Sequence, residues 1–405
     1  MTYTFSDRTA TLKPSAIREI FKVLADPTVI SFAAGSPSPE AFPTAELSAI
    51  SAELFSGCAA EALQYGITEG YGPLRELTAA RLRALHRIGA PDDDLIITTG
   101  GQQGLDLAAR VLLNEGDTVV CEDPSFIGAL NGLRAAGARL VGVPMDTQGM
   151  DMEALAQVLR DMGDAKCNGK CKCIYTIPTF QNPGGTTLPL DRREKMLALA
   201  RQYDVLILED DPYCELRYTG SPVPSLKSMD QDGRVLYLGS YSKTVSPGVR
   251  VGFACGPREV IARMTTAKQV TDVHTNLFFQ VAIARLLERY DFDAHIARCR
   301  ALYARKLDRM FGYVASWGGK VSCVKPDGGL FLWCRLPQGR DGTSRDGTDF
   351  CKIAGRHKVA AVPGATFSTV QGAASDAFRL NFSLPSLAQI DSGMSTLTQV
   401  LDEYL

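Results

Sequence analysis

Hydrophobic positions along the chain switch period in a regular way. Short apolar runs at 95–98, 119–121, 140–143, 173–177, 205–208, 235–238 and 251–254 are rich in Val, Ile and Leu and are bounded by turn chemistry. Between several of them, over 103–113, 151–159 and 192–202, apolar residues recur at three- and four-residue spacing. Strands that are apolar on both faces and alternate with amphipathic helices predict βα units around a mainly parallel sheet of seven strands, covered on both sides. An earlier helical stripe of Ile17, Ile20, Phe21 and Leu24 opens near Pro14 and ends near Asp26-Pro27, with Arg18 off the stripe.

From about residue 285 the texture changes. A long charged helical pattern over 285–311 precedes two amphipathic strands, GGLFLWCRL and AFRLNFS. In the second, Phe378, Leu380 and Phe382 alternate with Arg379, Asn381 and Ser383, the pattern of a half-buried strand. The expected division is an N-terminal helix and arm (1–45) joining a smaller α+β domain (286–405), with a large α/β domain over 46–285.

Charge and cysteine usage narrow the partners. Forty-three basic against 45 acidic side chains leave a net charge of −2, so no positive field invites nucleic acid or an anionic membrane, and a small molecule is the expected ligand. The eleven cysteines do not pair into a framework, which fits a reducing compartment. Cys167, Cys171 and Cys173 are spaced C-x3-C-x-C with no histidine nearby, short of a tetrahedral zinc set, and no metal is expected. The first residues lack a basic and an apolar signal region and no run of eighteen apolar residues occurs, so a cytoplasmic protein is expected.

In a parallel α/β sheet ligands bind beyond the carboxyl ends of the strands, where loops lead into helix N-termini. After 95–98 comes Thr99-Gly100-Gly101-Gln102 and a helix, which offers backbone N–H groups to a phosphate. After 119–121 comes Glu122-Asp123-Pro124-Ser125-Phe126; after 173–177, a loop holding Asn182; after 205–208, Asp210 with Tyr213 three residues on; after 235–238, Ser240, Ser242 and Lys243, with Arg250 seven residues further. Each piece alone is commonly a turn, a cap or a solvated side chain. Together they match the needs of pyridoxal 5′-phosphate.

That cofactor's aldehyde is held as an imine by a lysine amine, and its ring withdraws electrons only while a carboxylate keeps the pyridine nitrogen protonated. Asp210 is the candidate carboxylate. Asn182 and Tyr213 are placed to donate to the ring's phenolate oxygen, Phe126 to stack on its face, and Gly101, Gln102, Ser240, Ser242 and Arg250 to hold the phosphate.

Eight segments, in order, carry a resemblance: SFAAGSPSPEAFP, QYGITEGYGPLR, TTGGQQGLDL, EDPSF, IPTFQNPGG, LEDDPY, GSYSKTVSPGVRVG and FRLNFS. The chain resembles the fold-type-I, class I/II pyridoxal-phosphate aminotransferases, in particular those acting on 2-aminoadipate, aromatic amino acids and kynurenine. The resemblance implies that Lys243 is the lysine of the internal aldimine and carries a proton between substrate and cofactor. It implies that Arg379, helped by Asn182, holds the substrate α-carboxylate, and that the backbone of Gly35 lies over the substrate. It implies a homodimer with shared sites, in which Tyr65 reaches the partner's phosphate. Gly101, Phe126 and the QNPGG loop stand where relatives commonly have Ser, Tyr and QNPTG.

The implied reaction moves the amino group of an L-amino acid to a 2-oxo acid such as 2-oxoglutarate. The resemblance also places Ser15 and Arg18 of the first helix at the substrate pocket, Arg18 as a partner for a distal carboxylate. Two alternatives stand beside it. The scaffold supports β-elimination or decarboxylation, and it serves as the effector-binding part of transcription regulators; no basic helix-turn-helix precedes the motifs here.

Overall fold

The computed structural model describes residues 3–4, 26–57, 59–163, 171–339 and 344–405. The helix expected from Pro14, with Ser15 and Arg18, lies outside them, as does Cys167.

In chain order the strands are β1 (Ile30–Ser31), β2 (Asp93–Thr98), β3 (Thr118–Asp123), β4 (Arg139–Asp146), β5 (Gly149–Met150), β6 (Cys171–Thr176), β7 (Leu206–Asp210), β8 (Val235–Ser240), β9 (Gly252–Pro257), β10 (Ser322–Cys323), β11 (Phe331–Arg335), β12 (Val359–Ala360), β13 (Val362–Pro363) and β14 (Ala377–Asn381). The main sheet has the order β2-β9-β8-β7-β6-β3-β4-β5. Its seven longer strands are those expected, and the eighth is a two-residue hairpin strand at the edge, too short to leave a period in the sequence. The five central strands run parallel, while β9 lies antiparallel between β8 and β2.

Helices cover the sheet as the periodicity predicts, at Gly101–Leu112, Met152–Gly163 and Leu190–Gln202. The long charged pattern over 285–311 is two helices, Leu277–Arg289 and Phe292–Ser316. Asp291 ends the continuity, because its carboxylate accepts from the Ala294 N–H and caps the second helix.

A four-stranded antiparallel sheet, β10-β11-β14-β13, follows in the C-terminal part, and the N-terminal β1 pairs in parallel with β12. Strand β14 departs from its half-buried expectation. Phe378, Leu380 and Phe382 are buried in the core, but Arg379, Asn381 and Ser383 are buried too. Their polar atoms find internal partners: Asn381 donates to the Leu330 carbonyl and Ser383 to that of Ser36. An alternating pattern reads as one wet face only when the polar side cannot be satisfied indoors. Cys171 and Cys173 are buried in β6, and among the described residues no group of His, Cys, Asp and Glu is placed to hold a metal.

Candidate active site

The carboxyl ends of β2, β3, β6, β7 and β8 converge on one cavity of about 290 Å³, close to the small end of small-molecule pockets. Asp210 is the last residue of β7 and Ser240 of β8, so the strands themselves aim these side chains. Gly101 and Gln102 open the helix after β2, and Phe126 ends the loop after β3; all three line the cavity, as do Asn182 and Tyr213. Ser242, Lys243 and Arg250 come from the segment after β8, Gly35 from the N-terminal arm and Arg379 from β14. Tyr65 does not line it: its ring is exposed and meets His274 edge-on at 5.8 Å.

At one end the groups suit a phosphate. The Ser240 hydroxyl donates to Ser242 Oγ at 2.9 Å and accepts from the Ser242 N–H at 3.1 Å. Arg250, its backbone left-handed at φ 52°, donates to the carbonyls of Pro247 and Thr99 at 3.2 and 3.3 Å. Gly100 has φ 75°, and a Cβ there would stand 2.3 Å from Arg250 Nη2, so the turn needs the missing side chain. A cation, two hydroxyls and a helix N-terminus at one wall are a donor set for a doubly charged anion.

In the middle lie Lys243 and Asp210. Lys243 Nζ donates to the Gly35 carbonyl at 2.6 Å. Burial, with Arg379 and Arg250 as positive neighbours, lowers its pKa to about 8, against the pull of Asp210. Burial raises the Asp210 carboxyl to about 6, while the Tyr175 hydroxyl, donating to Oδ2 at 2.7 Å, and Lys243 work the other way. At neutral pH Asp210 is a carboxylate. Tyr213 is buried, held well above its ordinary pKa by desolvation, and hydrogen-bonded with Asn182. It therefore stays a phenol, able to donate.

At the far end Arg379 donates to Asn182 Oδ1 at 2.7 Å and to the Ala33 carbonyl at 2.8 Å. Its guanidinium carbon lies 4.2 Å from the centre of the Phe331 ring and 4.8 Å from that of Phe367. Burial lowers its pKa to about 10, so it remains a cation, and its buried Nε has no hydrogen-bond partner among the described residues. A buried cation with an unused donor suits an incoming carboxylate.

Sequence reasoning missed three contributors. Phe331 forms the aromatic floor under Arg379 and read as strand core. Tyr175 read as one more apolar strand position. Glu122 appeared only as part of EDPSF; it is buried, accepts from Thr176 Oγ1 at 2.5 Å and Gln181 Nε2 at 3.0 Å, and so ties the loop carrying Asn182 to the end of β3. Desolvation raises its pKa to about 7.

The family model for aminotransferases of class I and II matches residues 27–397. The aromatic-amino-acid aminotransferase 1 of Thermococcus litoralis is 38% identical over 402 residues, covering 99% of this chain and 94% of that protein. The 2-aminoadipate transaminase of Thermus thermophilus is 35% identical, with 97% and 95% covered. A crystal structure of the Pyrococcus horikoshii kynurenine aminotransferase in complex with PMP superposes with a TM-score of 0.93 at 38% identity, over 99% of this chain and 97% of that one.

Proposed function

The chain belongs to the class I and II aminotransferases and is a pyridoxal 5′-phosphate-dependent transaminase of fold type I; on that footing we propose that Lys243, Asp210 and Arg379 carry its chemistry. The observation that supports this most is the line of groups along one cavity: phosphate donors, then a lysine beside a buried carboxylate, then a buried arginine with a free N–H. These residues fit the cofactor. When bound, it supplies an aldehyde that links to an amine and a ring that withdraws electrons from the bonds at the substrate Cα.

The rest is done by the chain. Gly101, Gln102, Ser240, Ser242 and Arg250 would hold the phosphate, Asp210 the ring nitrogen and Asn182 and Tyr213 the ring oxygen, and Phe126 would pack against the ring. Arg379, steadied by Asn182 and the Ala33 carbonyl, fixes the substrate carboxylate. Lys243, with its lowered pKa, is the base that takes the Cα proton and the acid that returns it. Gly35 keeps the roof open, since a Cβ there would press on Phe331 at 3.3 Å. Replacing Arg379 by Lys removes the forked donor, and kcat/KM for amino acids should fall by about 100-fold or more, as expected from losing a charge-assisted bond, with the cofactor spectrum unchanged.

The proposed donors are 2-aminoadipate, glutamate, aromatic and aliphatic amino acids, with 2-oxoglutarate as acceptor. Support comes from the named activities of the relatives and from the apolar wall around Arg379; β-elimination and decarboxylation are not favoured by relatives that are transaminases. The distal carboxylate of an acidic donor is assigned to Arg18, with Ser15 beside it, on the sequence alone. Donor profiling with 2-oxoglutarate should therefore show Arg18→Ala losing dicarboxylic donors by about tenfold or more while aromatic donors are kept. Equal activity of the variant on all donors would discard that assignment.

We also propose a homodimer with Tyr65 completing the partner's phosphate site. Tyr65 (81% exposed) and Val270 (86%) are large apolar residues left bare on a single chain, joined by Leu63, Ile67 and Phe55. A cytoplasmic location rests on the free thiols; among the described residues no helix is long and apolar enough to cross a membrane.

A further inference from the structure

We propose that Tyr175 is a positioning residue for Asp210: its hydroxyl occupies one carboxylate oxygen and thereby keeps the other charged and aimed at the ring nitrogen of the cofactor. The inference deepens the assignment of Asp210 made above and rests on it.

The fold puts the two side chains together. In the parallel register of β6 and β7, Tyr175 stands opposite Leu208 and Thr176 opposite Glu209. Asp210 is two residues beyond Leu208, on the same face of β7 as Leu208, so it meets Tyr175 diagonally across the strand pair. The phenol oxygen donates to Asp210 Oδ2 at 2.7 Å. Among the described residues this is the one hydrogen bond recorded for the Asp210 side chain, and it leaves Oδ1 for whatever enters the cavity that Asp210 lines.

The bond is needed because of where the carboxylate sits. Asp211 adds a like charge next to it, and Glu122 is a second buried carboxyl within electrostatic reach. Against these, Lys243 is a positive neighbour, but its amine must be neutral for part of the reaction. Tyr175 gives a donor that does not titrate: burial and the facing Asp210 keep it a phenol at all working pH values. A buried Tyr in the fifth position of the six-residue strand β6 needs such a partner, since an unpaired hydroxyl there would be costly.

The test uses holoenzyme carrying 15N-labelled pyridoxal phosphate, with nuclear magnetic resonance of the ring nitrogen beside steady-state kinetics. Tyr175→Phe fills nearly the same volume and lacks only the donor. It should move the nitrogen resonance toward the unprotonated position and lower kcat, by about tenfold for each unit by which the Asp210 pKa rises beyond the assay pH, with KM within about twofold. Asp210→Asn should move the same resonance further. If Asp210→Asn moves it and Tyr175→Phe leaves both resonance and kcat at the wild-type values, Tyr175 is packing alone and the proposal is overturned while the Asp210 assignment stands. If neither variant moves it, the Asp210 assignment has failed and the proposal falls with it.

Discussion

Lys243→Ala should lose at least about 10⁴-fold in kcat for transamination, because the substitution removes a covalent tether and the proton carrier at one stroke. The phosphate donors Ser240, Ser242 and Arg250 are untouched, so the variant should still bind pyridoxal phosphate, now removable by dialysis. The pH dependence of the wild-type amine gives a second check. Its pKa is depressed from the ordinary 10.5 to about 8 by burial and by the charges of Arg379 and Arg250. Only the neutral amine attacks an aldehyde. Capture of pyridoxal phosphate by the apoprotein should therefore speed up about tenfold per pH unit below about 8 and level off above it. A rate still climbing beyond pH 10 would describe an ordinary surface lysine.

Asp210→Ala is the second large effect. Leaving a buried cation without its carboxylate partner costs about 3–5 kcal/mol, which corresponds to about 10²–10⁴-fold in rate if the loss is felt in the transition state. The loss should appear in kcat, with Arg379 still holding the substrate and KM changing little. Burial already pushes the carboxyl up to about 6, so the wild-type enzyme should also lose activity as pH falls through that value in the free protein. A variant with near wild-type kcat would show that the ring nitrogen has another partner.

Much of this was legible in the chain because strands β3, β6, β7 and β8 are buried on both faces and therefore read as unbroken apolar runs. Direction was not: the run around Val251 looks the same whether β9 is parallel or, as found, antiparallel to β8. The cavity residues stood out because polar side chains follow directly on those runs, at Asp210 and Ser240 as the last residues of their strands. Tyr175 and Glu122 stayed hidden for the opposite reason, being polar groups satisfied inside strand ends where sequence shows only another buried position. Strand β14 looked half-wet because alternation records polarity but not the partner; Arg379 is indoors, held by Asn182 and Ala33 from elements far away in sequence. Nor does spacing show the break at Asp291, since a cap and an exposed helical residue are both polar.

The most direct measurement is reduction of the holoenzyme with borohydride, followed by proteolysis and mass mapping of the peptide that keeps the phosphopyridoxyl group. The modification should sit on Lys243 and on no other lysine, and Asp210→Ala should leave its position unchanged. Label fixed to a different lysine, or no label after reduction of a protein active as a transaminase, would contradict the account.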